Sequence, residues 1–309
     1  MKRVIAILLT LMIVIGAAAC APADDTVARV ITLKGPTGMG MVYLMDSEDY
    51  TVELTNMPDD IVGKLATGEA DIAALPINLA STLYGRLNGD LVMIAVNTLG
   101  VLSVIENGDT IQSIADLEGR KVYATGQGST PEYIISYLLD AAGVNADVEY
   151  VSEHAELATM LATGMADVGI LPEPNVSVAL GANEELRIAL SLTQEWEDVC
   201  DATLVQGCIV VRREFLEAHG SVVEAFLEDY KASVASVNSD VATAAAFISD
   251  KGIVANKEAA QRAIPNSNIV CITGDEMRVM AEAMLNVLYA VEPRSVGGEL
   301  PGEDFYFVP

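Results

Sequence analysis

The sequence is poor in the residues that metal sites and most catalytic centres require. Its 309 residues include only 2 histidines, 4 cysteines and 1 tryptophan. The histidines, His154 and His219, are well separated, and no C-x-x-C pair occurs. A structural zinc site needs several Cys or His ligands at characteristic spacings. We therefore expect neither a metal nor a cofactor.

Positive charge is scarce as well. The chain has 17 Lys and Arg residues against 44 Asp and Glu residues, which gives a net charge of -27. Proteins that bind nucleic acid neutralise its phosphates with basic patches, so this balance argues against nucleic acid as a partner. It also argues against broad adsorption to anionic lipid. The charge of a small ligand stays open, because a few groups inside a cleft decide it.

The longest apolar run lies at the start of the chain. Two basic residues precede a mostly apolar stretch over 4–15, and small residues then lead to Cys20. The stretch is too short to span a bilayer and is typical of an export signal. The pattern resembles a bacterial lipobox. This resemblance implies a signal peptide over 1–19 and a lipid on Cys20 that anchors the protein outside the cytoplasm. Residues 20–27 would then form a tether. In the alternative interpretation an ordinary A-x-A site is cleaved and Cys20 is incidental.

The middle of the chain contains an internal repeat. Residues 65–76 read LATGEADIAALP and residues 161–172 read LATGMADVGILP, with eight of twelve positions identical at a constant offset of 96. In each copy the glycine can end a helix in the left-handed conformation, and the Asp that follows can open a strand. We interpret Asp71 and Asp167 as structural residues of a duplicated unit.

Strands and helices alternate in both copies. Copy one predicts strands at 29–33, 50–54 and 71–75 and a helix at 58–66. Copy two predicts strands at 121–124, 148–151 and 167–171 and helices at 131–142 and 155–162. Such alternation predicts mostly parallel sheets with right-handed crossovers. Two β-rich segments, 96–105 and 203–211, bracket copy two and suit hinge strands. The predicted fold is α/β with two lobes: residues 28–101 and 208–309 form lobe 1, and residues 102–207 form lobe 2.

The mature chain contains a candidate disulfide. Export makes a disulfide permissible, and Cys200 and Cys208 lie close together around a turn-like segment. Pairing of these two is one expectation, and two free thiols are the other. Cys271 would then be a buried free thiol.

Several motifs carry a resemblance to a known family. Residues 113–122, SIADLEGRKV, are similar to the segment that opens the second lobe of type II periplasmic binding proteins. GILPEP at 169–174, RREF at 212–215 and GGELP at 297–301 resemble, more narrowly, the nitrate, sulfonate, taurine and thiamine-precursor binding proteins of ABC importers. The resemblance implies a monomer whose cleft closes over a small organic ligand. It also implies delivery of that ligand to an ABC permease with a cytoplasmic ATPase.

Ligands of open α/β sheets bind beyond the carboxyl ends of the strands. Glycine-rich loops there can offer free amides at a helix start to a ligand oxygen. The candidate ligand-binding residues in these loops are Thr37, Gly38 and Met39 in lobe 1, and Gly126, Gln127, Ser129 and Thr130 in lobe 2. The loops after the repeat add Asn78, Glu173 and Asn175, and the hinge segments add Asn97, Thr98, Leu99, Gln206 and Gly207.

Purely structural roles could also account for these residues. Turn chemistry and N-capping explain Thr37, Ser129 and Thr130, and Asn78 can cap a helix. Glu173 would favour an amine or ring N–H donor if it faced the ligand, and would be a solvated charge otherwise. Few basic residues lie near these loops, which favours a neutral or weakly polar organic solute over an inorganic anion.

Two other classes of function compete with import by an ABC transporter. The first is a receptor that serves a TRAP-type carrier or a sensor. The second is an enzyme, since cytoplasmic enzymes use the same fold. The export signal and the lack of a nucleophile elbow or Ser-His-Asp spacing argue against an enzyme.

Overall fold

The computed structural model describes residues 24–308. The predicted signal peptide, the lipidation at Cys20 and the first residues of the tether lie outside this part of the chain. Among the residues that the structure describes, no helix is long and apolar enough to cross a membrane, and no three His, Cys, Asp or Glu residues are placed to hold a metal ion.

Apolar and β-branched runs form two sheets. The strands of the first are β1 (Ala28–Leu33), β2 (Tyr50–Thr55), β3 (Ile72–Pro76), β4 (Leu91–Leu99), β10 (Val205–Arg212) and β11 (Ile269–Ile272). The strands of the second are β5 (Leu102–Asn107), β6 (Lys121–Ala124), β7 (Asp147–Tyr150), β8 (Val168–Pro172) and β9 (Leu186–Ser191). Their orders are β11-β4-β10-β3-β1-β2 and β7-β6-β8-β5-β9. We call each sheet with the helices packed on it a lobe, the first and the second.

Both sheets are mixed, which corrects the expectation that they are mostly parallel. Parallel pairing joins β2, β1 and β3 in the first sheet and β7, β6 and β8 in the second, as the strand–helix alternation predicts. The other pairs are antiparallel, because β4, β5 and β10, which carry the chain between the lobes, run against their neighbours.

Helices cover both sheets. Those of the first lobe are α1 (Pro36–Gly40), α2 (Pro58–Thr67) and α3 (Ile77–Arg86), then α8 (Arg213–Ala218), α9 (Gly220–Ser239), α10 (Val241–Asp250), α11 (Lys257–Ala263) and α12 (Gly274–Val291). Those of the second lobe are α4 (Thr130–Ala142), α5 (His154–Ala162), α6 (Asn175–Ala182) and α7 (Leu192–Glu197).

The two repeat copies have the same local structure. Gly68 ends α2 and Gly164 follows α5, each with φ at 73°, and β3 and β8 begin four residues after these glycines, at Ile72 and Val168. Asp71 accepts hydrogen bonds from N and Nε of Arg29 at 2.9 and 2.8 Å. Its role is therefore structural, as the sequence indicated.

The segment at 96–105 is two strands rather than one. The chain leaves the first sheet after Leu99 and enters the second at Leu102, and it returns between Ser191 and Val205. A Cβ at Gly100 would lie 2.7 Å from Cδ2 of Leu204, so the glycine lets these two connections pass close together. The lobe boundaries proposed from the sequence remain predictions.

The predicted disulfide is not formed. Among residues 24–308 the three cysteines are all free thiols. Cys208 is fully buried inside β10, where its Sγ lies 3.7 Å from the carbonyl oxygen of Leu75. Cys200 lies after α7, at the other end of the connection between the lobes. The segment between them does not fold back as a turn, because its second half extends as β10.

Candidate functional site

Loops of the two lobes meet at the hinge. Gly35, which follows β1, packs on the segment after β8: a Cβ at this position would lie 3.7 Å from Cδ of Pro174. The amide of Glu173 donates to the carbonyl oxygen of Val101 at 3.1 Å. The amide of Val101 in turn donates to Oε1 of Gln206 at 3.3 Å. The first glycine-rich loop, the hinge and the loop after β8 therefore form one continuous site, at the ends of the strands where ligands bind in such sheets.

Asn78 ties the two lobes together. Its Oδ1 accepts hydrogen bonds from N and Oγ1 of Thr130 at 3.1 and 2.9 Å. Its Nδ2 donates to the carbonyl oxygens of Gly128 and Ser295 at 3.4 and 3.3 Å. The structure thus brings together two of the predicted contact residues, Asn78 and Thr130, but pairs them with each other across the lobes. Because its amide is fully used, Asn78 offers little to a ligand in this arrangement.

Two buried side chains at the end of β4 have unused hydrogen-bonding groups. Asn97 is 0% exposed and Thr98 is 3% exposed. Among the described residues, neither the side-chain nitrogen and oxygen of Asn97 nor Oγ1 of Thr98 has a hydrogen-bond partner. Leaving a buried polar group unpaired costs about 1–3 kcal/mol, so native proteins contain few of them. These atoms can therefore form hydrogen bonds to a polar ligand.

Gly207 has no side chain, and neighbouring polar side chains occupy the space beside it. A Cβ on this residue of β10 would lie 2.7 Å from Oδ1 of Asn97, 3.4 Å from Cβ of Thr98 and 3.4 Å from Cγ2 of Thr37. Three uncharged polar side chains therefore converge on the backbone of β10. The hydroxyl of Thr37 donates to the carbonyl oxygen of Leu33 at 2.9 Å, which leaves its own oxygen able to accept a hydrogen bond.

The first glycine-rich loop is packed more tightly than the sequence suggests. A Cβ at Gly38 would lie 2.8 Å from the carbonyl oxygen of Leu33, and Met39 is fully buried in the core of the first lobe. The amide of Met39 donates to the carbonyl of Gly35 at 2.8 Å, and Pro36 has no N–H to offer. Gly38 therefore permits close packing of the chain on itself, and Met39 acts as a core residue.

The second glycine-rich loop binds a carboxylate of its own helix. The amide of Gly128 donates to Oε2 of Glu132 at 2.6 Å, and this acid suits the positive end of α4. The amide of Thr130, a predicted ligand contact, is also engaged, because it donates to Oδ1 of Asn78. The remaining candidates have other positions: Gly126 makes the turn at φ 82°, Ser129 precedes α4, and Gln127 is exposed.

Glu173 is buried beside the hinge, and Asn175 is half-buried at the first position of α6. The carboxylate of Glu173 accepts hydrogen bonds from N and Oγ of Ser177 at 3.1 and 3.0 Å, and so caps the start of α6. Burial raises the pKa of Glu173 to about 7, although the Ser177 bonds and the positive charge of Arg262 oppose the rise.

One contact between the lobes was not predicted. Arg262 on α11 lies against Gly181 on α6, so closely that a Cβ at Gly181 would collide with the guanidinium. No local pattern in the sequence relates these two helices, which lie in different lobes and far apart in the chain. The interaction can be found only once the fold is known.

Solved structures of binding proteins share this architecture. An ABC transporter protein from Parabacteroides distasonis has a TM-score of 0.79 at 23% identity, over 92% of this chain and 99% of that one. The periplasmic aliphatic sulphonate binding protein SsuA from Escherichia coli has a TM-score of 0.71 at 17% identity, over 93% of each chain. The periplasmic nitrate-binding protein NrtA from Synechocystis PCC 6803 has a TM-score of 0.57 at 14% identity, over 73% of this chain and 66% of that one. At these identities the likeness shows the fold alone, which is the two-lobed fold of type II periplasmic binding proteins.

The sequence gives a narrower assignment. Residues 56–241, more than half of the chain, match the family described as NMT1/THI5 like. The chain belongs to this family, which confirms the resemblance found from its motifs. No functionally curated protein matches the sequence.

Proposed function

We propose that this chain is the extracytoplasmic solute-binding protein of an ABC importer. It captures a small organic molecule between its lobes and delivers it to a permease that a cytoplasmic ATPase drives. The observation that carries the proposal is the buried pair Asn97 and Thr98, whose polar groups have no partner among the described residues. The pair lies where loops of both lobes meet.

The contacts between the lobes suit closure driven by a ligand. Asn78 bonds to Thr130 across the lobes, and Gly35 packs on Pro174. A ligand shifts such an equilibrium only if it binds the closed form better than the open form. A solute on Asn97 that also touched the loop at Glu173 would contact both lobes and would therefore favour closure.

The similar structures and the start of the chain support the proposed partner and location. The similar structures include an ABC transporter protein and periplasmic binding proteins for sulphonate and nitrate, which supports an ABC permease as the partner. That the receptor acts as a monomer is part of the proposal. The lipobox-like start supports attachment to the outer face of the cell membrane through Cys20. The similar structures named for what they bind are binding proteins, which supports a receptor rather than an enzyme.

A thermal-shift screen joined to an uptake assay tests the proposal. A solute that binds the native protein raises its Tm in a saturable way. The same solute should fail to enter cells that lack this gene or the ATPase gene. Asn97→Leu should not restore uptake, whereas the same exchange at Asn286, exposed on α12, should restore it fully.

Two results would count against the proposal. If no solute in a broad metabolite library or concentrated cell extract raises the Tm, the protein is not a solute receptor. If a solute binds but cells without the ATPase import it normally, the protein serves a TRAP-type carrier or a sensor instead. Chemical conversion of the solute by the purified protein would indicate an enzyme.

A further inference from the structure

The unused groups at the end of β4 include both donors and an acceptor. Nδ2 of Asn97 can donate two hydrogen bonds and Oδ1 can accept, while the hydroxyl of Thr98 can do either. All three atoms are buried, and none has a partner among residues 24–308. A ligand that satisfies them must offer an acceptor to Nδ2 and a donor to Oδ1 on neighbouring atoms.

The position of Asn97 restricts how these groups can be satisfied. Its Oδ1 lies 2.7 Å from the place that a Cβ at Gly207 would take, and methyl or methine carbons of Thr37 and Thr98 lie 3.4 Å from the same place. The amide oxygen therefore lies close to the backbone of β10, beside the two threonines. The two threonines beside the amide are uncharged, so they offer no ion pair to a charged ligand, and burying an unpaired charge is costly.

We propose that Asn97, supported by Thr98, selects an uncharged solute with an N–H donor beside a carbonyl or ring-nitrogen acceptor. The chemical class is that of carboxamides, lactams and cyclic ureides, whose planar edge pairs with the Asn97 amide through two hydrogen bonds. This inference rests on the proposed function and names the class of solute that the same site takes.

Anions such as nitrate and sulfonates fit this position poorly. Their oxygens only accept hydrogen bonds, so they would satisfy Nδ2 of Asn97 but face Oδ1 with lone pairs. One buried acceptor would then stay unpaired, a cost that strongly disfavours the wrong ligand. Asn97 thus acts as a specificity-determining residue that admits the amide edge and rejects the anion.

A stability measurement tests the role of Asn97 before any ligand is known. The protein is freed of bound solute by unfolding, dialysis and refolding, and its Tm is compared with that of Asn97→Leu. Because the amide has unpaired groups, the apolar exchange should leave the Tm unchanged or raise it by about 2–4 °C. Asn78→Leu is the matched control and should lower the Tm, because the Asn78 amide makes four hydrogen bonds. A clear loss of Tm in Asn97→Leu would make Asn97 a structural residue and overturn the inference.

A binding series then tests the class of solute. The uncharged probes are 2-pyrrolidinone, hydantoin and uracil, and the anionic probes are nitrate, methanesulfonate and ethanesulfonate. Calorimetric titration should find saturable binding among the uncharged probes only, with affinity reduced about tenfold or more in Asn97→Leu and in Thr98→Val.

The outcomes separate this inference from the proposed function. If anions bind, or if the solute found in the metabolite screen lacks a donor beside an acceptor, the inference fails while the proposed function stands. Uncharged probes that bind Asn97→Leu as well as wild type would also overturn it. If no solute of any kind binds, both fail.

Discussion

Asn78 and Asn97 have the same side chain and opposite roles. Both are buried near the hinge, yet the amide of Asn78 is fully bonded and that of Asn97 has no partner among the described residues. The sequence pointed to both, because Asn78 lies in the loop after the first repeat copy and Asn97 lies in the hinge segment. It did not rank them, since Thr130 and Ser295, the partners of Asn78, are distant in the chain.

Glu173 should make stability depend on pH. Its pKa is raised from 4.5 to about 7 because it is buried, so the folded protein keeps the proton to higher pH than the unfolded chain does. The resulting stabilisation is present below pH 4.5 and is lost as pH rises through about 7. Relative to Glu173→Gln, wild type should lose about 3 kcal/mol of unfolding free energy over this window.

Urea titrations of both proteins at several pH values measure this difference. Ser177, Arg262 and Asn266 face the carboxyl and are unchanged in the variant, so the comparison isolates Glu173. A difference between the two proteins that is constant from pH 4.5 to 8 would show that the Glu173 pKa is not raised in the folded state.

Gly207 should be required for binding rather than for folding alone. Alanine at this position would place its Cβ 2.7 Å from Oδ1 of Asn97 and displace the amide. We expect Gly207→Ala to weaken solute affinity at least about tenfold. Gly63→Ala is the control, because nothing lies within 4 Å of its Cβ position, and calorimetric titration should find its affinity unchanged. Equal affinity in Gly207→Ala and wild type would mean that Asn97 does not hold the solute.

At the scale of elements, the repeat predicted the fold well and the hinge only in part. The period of the LATG copies gave the strands β3 and β8 and the helices before them, because turn glycines and apolar runs act locally. The break at Gly100 and the antiparallel strands were not predicted, since they depend on pairing between segments that are far apart in the chain. The contact between α6 and α11 was not predicted for the same reason.

Contact between α6 and α11 should stabilise the closed arrangement. Gly181→Ala would push the Arg262 guanidinium away from α6, while alanine favours a helix by about 1 kcal/mol over glycine. The variant should therefore fold at least as well and bind its solute several-fold more weakly. Thermal unfolding and calorimetry measure the two effects separately. If affinity were kept, Arg262 would have no part in closure.

At the scale of the whole molecule, the account predicts where the protein is held. Cys20 lies outside the described residues, and its lipidation is proposed from the sequence. Cys20→Ser should release the protein from the membrane fraction into the soluble extracytoplasmic fraction, because the acyl chains supply the anchor. Exchange of Cys200, which lies far from the cleavage site, is the control. Retention of Cys20→Ser on membranes washed with high salt would exclude this anchor.

The central claim is that a solute held between the lobes closes them. Small-angle X-ray scattering of the solute-free and solute-saturated protein tests it most directly, in wild type and in Asn97→Leu. The account predicts a smaller radius of gyration for wild type with solute, and no change for Asn97→Leu at the same solute concentration. Identical scattering of wild type with and without a solute that calorimetry shows to be bound would contradict it.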